Sequence, residues 1–301
     1  MLHEALVNYH QEFLEEYWDK MGEQDDLTKT VETKKLKTLR LFGYQWTTFV
    51  DNFGYYKEIF LGFVHPFLKE KDFENQLVLE VGCGSGRPAS VAASFGAEVV
   101  GVDLSEAVQT AQSLTEHYPL LHVVQGDVYA LPFRPRFDFV YSVGVLQHIP
   151  DPQKALASIA GVVTPGQSLV LWVYGVRELW YQPIIWIRKI TTRLPFGILR
   201  VISITLAALS ELFLLIPHRI LSRIPFTKKL AGKIPGRIYT RFPFRENVVG
   251  WFDRLGAPVT YYFSKIDVET MLDKAGFDDV QIIARPDASA SWVVKARRSL
   301  A

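Results

Sequence analysis

The stretch Leu77 to Ser90, LVLEVGCGSGRPAS, constrains the fold of this 301-residue chain more than any other. Leu77–Val81 is a short apolar run carrying one acid, Glu80, as a strand buried in a parallel sheet reads. Gly82, Gly84 and Gly86 follow at every second position. Glycine has no Cβ, so a turn built from it can bring backbone N–H groups close to a ligand. Pro88 suits the first turn of a helix and Gly96 its end. The unit is therefore strand, glycine turn, helix. A dinucleotide fingerprint requires Gly-x-Gly-x-x-Gly, but Arg87 stands where its third glycine belongs. A phosphate-binding P-loop requires Gly-Lys-Ser/Thr, which is absent.

The rest of the chain supports repetition of this unit. Glu98–Val102 reads as a second buried strand closed by Asp103, with Ser105 placed to cap the helix that follows. His122–Gln125, Phe137–Val143 and Ser168–Tyr174 read as strands three to five. Asp151 and Pro152 open a helix running to Val163. Ile266–Ala275 reads as a helix closed by Gly276. Asp279–Ala284 and Ser291–Ala296 read as an antiparallel hairpin. Strands alternating with helices specify an α/β doubly wound sheet. In such a sheet an acid closing the second strand sits beside the first crossover, where it can accept hydrogen bonds from both hydroxyls of a ribose. Asp103, 17 residues after Gly86, has that place.

Four stretches in this order resemble the class I S-adenosylmethionine (SAM)-dependent methyltransferases: E-x-G-x-G-x-G at Glu80–Gly86, the acid Asp103, GD-x-x-x-LPF at Gly126–Phe133, and FD-x-V-x-S…VL-x-H-x-PDP from Phe137 to Pro152. Gln147 replaces the first histidine of the family's usual pair, and Gln167 replaces the second glycine of PGG. The resemblance implies a Rossmann-like sheet of seven strands in the order 3-2-1-4-5-7-6, the seventh antiparallel. It implies SAM as cofactor, held by Glu80, Gly82, Gly84, Gly86, Asp103, Leu104, Asp127, Val128 and Ser142. Asp127 would accept from the adenine amino group, and the backbone N–H of Val128 would meet a ring nitrogen. His148 is the first candidate for a general base and equally suits a structural histidine bonded to a carbonyl. Tyr44 and Tyr262 are further candidates, and Asp253 and Tyr262 can reach the substrate pocket. No Cys/His cluster has metal-ligand spacing. Two other readings remain: a non-catalytic subunit of the same fold that anchors a partner at a membrane, and an NAD-dependent oxidoreductase.

Around this core the chain divides into an N-terminal helical cap (1–76), the SAM-binding core (77–174), a basic hydrophobic helical insertion (175–250) and a C-terminal completion of the sheet (251–301). Residues 1–32 read as an acidic helix and Thr28–Arg40 as a polar connector. The aromatic stretch Leu41–Phe49 reads as packing over the sheet edge or as a lid over the site. The insertion is where composition becomes informative. From Arg177 to Arg245 thirteen Lys/Arg stand against two acids, Glu178 and Glu211, a net of +11, although the whole chain carries only +1. The same segment holds Val201–Pro217, apolar almost throughout. Long aliphatic runs among cations fit an interfacial helix or lipid contact, with Glu211 turned to protein or water. They equally fit an insertion packed on its own domain or on a second subunit. They do not fit nucleic acid, which calls for exposed stacking aromatics among the cations. The acceptor is accordingly expected to be a small molecule or a lipid-like amphiphile. The single cysteine, Cys83, and the lack of an apolar leader suggest a cytoplasmic protein, membrane-associated if the insertion faces lipid.

Overall fold

A computed structural model describes residues 26–49, 55–176, 182–234, 237–285 and 291–300. Most of the expected helix over 1–32 lies outside them. Seven strands form one sheet: β1 (Leu77–Val81), β2 (Glu98–Asp103), β3 (Leu121–Gln125), β4 (Phe137–Val143), β5 (Val163–Tyr174), β6 (Phe277–Ala284) and β7 (Ser291–Arg298). Their order is β3-β2-β1-β4-β5-β7-β6. The first five strands pair in parallel and β7 runs antiparallel to β5 and to β6. The order reverses between β1 and β4, and in an open α/β sheet the crevice at that switch point is where ligands bind.

Alternate residues of the strands feed two cores, one on each sheet face. Leu79, Val81 and Val140 pack with helices α5 (Pro152–Val162) and α11 (Lys265–Lys274). Val78, Phe139 and Tyr141 pack with α2 (Tyr56–Val64) and α3 (Arg87–Ser94). Both faces being covered, the strands are apolar without alternation. Helix α4 (Ala107–Leu114) follows β2.

Three elements differ from their sequence reading. Thr28–Arg40 is no connector: it lies within helix α1 (Asp26–Thr48). Strand β5 begins at Val163, ahead of Pro165 and Gly166, because Val163 still pairs with Phe137 before the register shifts to Phe139–Ser168. The expected boundary at 250/251 falls inside helix α10 (Phe244–Gly256).

The insertion folds as α6 (Gln182–Thr191), α7 (Phe196–Ser210), a π turn (Glu211–Leu215), α8 (Ile216–Leu221) and α9 (Lys228–Ala231). Leu199 and Ala207 of α7 join Val248, Phe252 and Leu255 of α10 and Leu41 and Phe49 of α1 in a third apolar cluster. The insertion and the N-terminal helix are thus packed on the same element.

Candidate active site

The glycine turn is built backbone first. Gly82, Gly84 and Gly86 have φ of 81°, 52° and 78°, a region that L side chains rarely adopt. The N–H groups of Gly82 and Cys83 both donate to Val102 O, at 2.7 and 3.1 Å, tying the turn to β2. A Cβ on Gly82 would overlap the Val145 side chain, and one on Gly86 would stand 2.9 Å from the Cβ of Ala111. Gly82 therefore admits the loop after β4, and Gly86 admits helix α4.

Two groups behind the turn hold it in place. Glu80 is buried, its carboxylate accepts from the Tyr141 hydroxyl at 3.2 Å, and burial pushes its pKa well above the usual carboxylate range. Ser142 donates to Val81 O at 2.8 Å. Asp103 closes β2 and faces the turn. Its Oδ2 accepts from Gly84 N at 2.9 Å, and its Oδ1 accepts from Ser105 N and Oγ at 2.8 and 2.7 Å. Three donors leave one of about four carboxylate acceptor sites open.

These strand ends enclose a cavity of about 190 Å³, roofed by α1. Of the residues expected at the cofactor, Gly82, Gly84, Asp103, Leu104, Asp127 and Val128 lie in its wall, with His148. Glu80, Gly86 and Ser142 lie behind the wall, shaping it. Tyr44 and Tyr262 do not join it. Tyr44 stacks on Phe252, ring centroids 5.8 Å apart, in the third cluster. Tyr262 stacks on Tyr174 at 6.1 Å, and its hydroxyl accepts from Arg188. Packing explains both tyrosines, and neither is placed for proton transfer in this cavity.

His148 is 5% exposed, and its Nδ1 lies 2.8 Å from Val259 O. A carbonyl can only accept, so Nδ1 carries the proton and Nε2 holds the lone pair. Burial lowers its pKa from 6.5, against an opposing pull from Asp253. Oδ1 of Asp253 stands 3.8 Å from Nε2, buried and without a hydrogen-bond partner, while Oδ2 accepts from Tyr174 OH at 2.9 Å. The Phe42 ring packs on the imidazole, with centroids 4.8 Å apart. Gln147, the departure from the family pattern, is fully buried with neither side-chain polar atom bonded.

Sequence reasoning missed the wall residues that α1 supplies ahead of Leu41. Helix α1 presents Lys35, Thr38, Leu39, Phe42 and Trp46 to the cavity, a face with helical spacing. The Lys35 ammonium is ion-paired with Asp127 Oδ2, whose Oδ1 accepts from Tyr129 N at 2.9 Å. Trp46 lies over Gly84, where a Cβ would meet its ring at 3.1 Å. The Arg87 guanidinium is held between the Trp46 and Tyr56 rings, at 4.4 and 4.6 Å, and pairs with Glu246 of α10 at 3.0 Å. Arg87 is thus a clamp joining turn, roof and α10. Within the aromatic stretch Leu41–Phe49, Phe42 and Trp46 line the cavity, while Leu41 and Phe49 pack against α7 and α10 rather than over the sheet edge.

The wall suits a nucleoside with a cationic tail. Two carboxylates, at the ends of β2 and β3, supply acceptors for hydroxyl and amino donors. Val102, Leu104 and Val128 supply an apolar surface for a flat base, and the rings of Phe42 and Trp46 supply π faces for positive charge.

Residues 79–171 match the family model described as a methyltransferase domain. A ubiquinone biosynthesis O-methyltransferase of Hydrogenovibrio crunogenus is 33% identical over 113 residues, 36% of this chain and 45% of that one. Its namesake from Coxiella burnetii is 36% identical over 95 residues, 31% and 41% of the two chains. The chain spans less than half the length of these curated relatives. Among solved structures, a SAM-dependent methyltransferase of Methanosarcina mazei aligns at a TM-score of 0.47 and 20% identity, over 79% of this chain and 97% of that one. Magnesium protoporphyrin IX methyltransferase of Synechocystis aligns at 0.44 and 17%, over 98% and 100%. The matched motifs and the strand order agree, and they favour SAM over NAD: residues 79–171 form a methyltransferase domain of the class I type, whose cofactor is S-adenosylmethionine.

Proposed function

We propose that this protein transfers a methyl group from SAM to a hydroxyl of a small, amphipathic or lipid-like acceptor, with His148 as general base. The single observation that carries this reading is the state of His148: a buried imidazole in the cavity wall, its tautomer fixed by Val259 O and its Nε2 lone pair unused. Both O-methyltransferase relatives support oxygen as the nucleophile. A hydroxyl is protonated at neutral pH, so its alkylation calls for a base. The wall beside His148 is apolar, with Leu39, Phe42, Val145 and Ile149, which suits an acceptor with a hydrocarbon portion.

When bound, SAM supplies an electrophilic methyl group on a sulfonium centre. The residues of this chain align, dehydrate and deprotonate. Asp103 and Asp127 hold hydroxyl and amino groups at the ends of β2 and β3. Phe42 and Trp46 exclude water from above. Nε2 of His148 takes the proton that the acceptor hydroxyl sheds, and the unpartnered Oδ1 of Asp253 stabilises the imidazolium so formed.

The test is transfer of labelled methyl from SAM to lipid and metabolite extracts, followed by mass spectrometry of the product. His148→Ala is expected to lower turnover about 10²–10⁴-fold with SAM affinity near wild type. Because burial lowers the pKa of His148, turnover is expected to fall off at a more acid pH than an ordinary imidazole base would give. Full turnover by His148→Ala on the true acceptor excludes the base role. A wild-type protein that binds SAM but labels no extract excludes catalysis and favours a non-catalytic subunit.

A further inference from the structure

The core of this protein keeps its apolar residues inside; the insertion does not. Helix α7 turns Leu199, Ser203, Ala207 and Ser210 toward α10. On its other side the same helix, continued through the π turn, exposes Ile198, Val201, Ile204, Leu209, Leu212 and Phe213, several of them more than half accessible. Trp186 and Ile190 of α6 and Phe226 ahead of α9 add to this surface, and Phe226 is 86% exposed. A helix with large apolar residues on two sides calls for apolar surroundings on both, and the described residues cover only one side of α7. The exposed set is far more than the isolated apolar residues that a soluble surface carries.

The charge around it identifies the occupant. Residues 182–234 hold nine Lys/Arg and one acid, Glu211. Glu211 is ion-paired with Arg219. Lys189, Arg193, Arg223, Lys228 and Lys229 are exposed. A second copy of this chain would bring the same cations face to face. An anionic bilayer offers both what the apolar stripe and what the cationic rim call for. We propose that helices α6 to α9 form a docking surface for an anionic lipid bilayer, lying in its interface with the SAM-binding core held outside.

The stretch Phe196–Leu221 is long and apolar enough to cross a membrane, at 26 residues, yet its packing opposes a crossing. Trp251 Nε1 donates to Ser210 Oγ at 2.9 Å, and Asn247 Nδ2 donates to Ala207 O at 3.2 Å. A crossing would break these bonds and the apolar cluster beneath them. Lying flat keeps both and still buries Leu212 and Phe213 in acyl chains.

The test is flotation of the full chain with phosphatidylcholine vesicles, with and without phosphatidylglycerol, at low and high salt. Association is expected only with phosphatidylglycerol and is expected to weaken with salt. Lys228→Gln together with Lys229→Gln should lower partition about 30-fold, about fivefold for each cation removed. Leu212→Asp with Phe213→Asp should abolish partition, and both variants should keep wild-type SAM affinity, which shows that the core remains folded. Absence of flotation on anionic vesicles at low salt overturns the proposal, as does equal flotation on neutral ones. A dimer in sedimentation that Leu212→Asp with Phe213→Asp dissociates also overturns it, assigning the surface to a second copy. None of these outcomes depends on which acceptor is methylated.

Discussion

The SAM-binding core and the insertion are both rich in apolar residues, and they use them in opposite ways. In the core, five-residue runs such as Leu77–Val81 disappear between two layers of helices, and the charges that stay near them are acids aimed into one cavity. In the insertion, a run three times longer is covered by the described residues on one side only, and most of the charges flanking it are exposed cations. Apolar content alone therefore does not report burial. The number of faces that the fold covers decides it, and charge sign tells what meets the face left open.

Ion pairs sharpen this comparison most. Arg87–Glu246, at the junction of core and α10, is buried on both sides, with side chains 6% and 13% exposed. Arg219–Glu211, in the insertion, is 39% and 24% exposed. Arg87→Ala leaves Glu246 buried without its cation and is expected to cost about 3–5 kcal/mol in chemical denaturation. Glu80 gives an intermediate effect. Glu80→Ala strands the Tyr141 hydroxyl and should cost about 1–3 kcal/mol, whereas Glu80→Gln, which keeps an acceptor oxygen for that hydroxyl and places no charge in the buried site, should cost less. Arg219→Ala should change stability by about 0–1 kcal/mol, since partly exposed pairs contribute little. If Arg219→Ala proved as costly as Arg87→Ala, the insertion would be an internal layer rather than an open face.

The sequence was most informative where structure is local. Bounds of β1 and β4 agree with their apolar runs because parallel strands buried on both faces carry no interruptions. The strand order followed from the resemblance, and the sheet confirms it. The roof was illegible for a physical reason. Helix α1 faces solvent on one side and turns Lys35 and Thr38 to the cavity on the other, so Thr28–Arg40 shows almost no apolar stripe. Lys35–Asp127 and Arg87–Glu246 join residues 92 and 159 positions apart, and no local pattern encodes such pairs. Arg87 was informative only as a missing glycine, although the structure makes it the residue that joins turn, roof and α10. Tyr44 and Tyr262 misled because an aromatic hydroxyl near a motif carries no sign of whether its ring is packed.

The central claim is that the acids at the strand ends hold SAM, and isothermal titration of SAM into the wild type and Asp103→Ala tests it most directly. Asp103 offers charged acceptance, and hydrogen bonds to charged groups contribute about 1.5–3 kcal/mol each. With one acceptor site of Asp103 open to the cofactor, the variant should bind about 1.5–3 kcal/mol more weakly than wild type, with circular dichroism showing both folded. Equal SAM affinity in the two folded proteins would contradict the account and place the cofactor elsewhere.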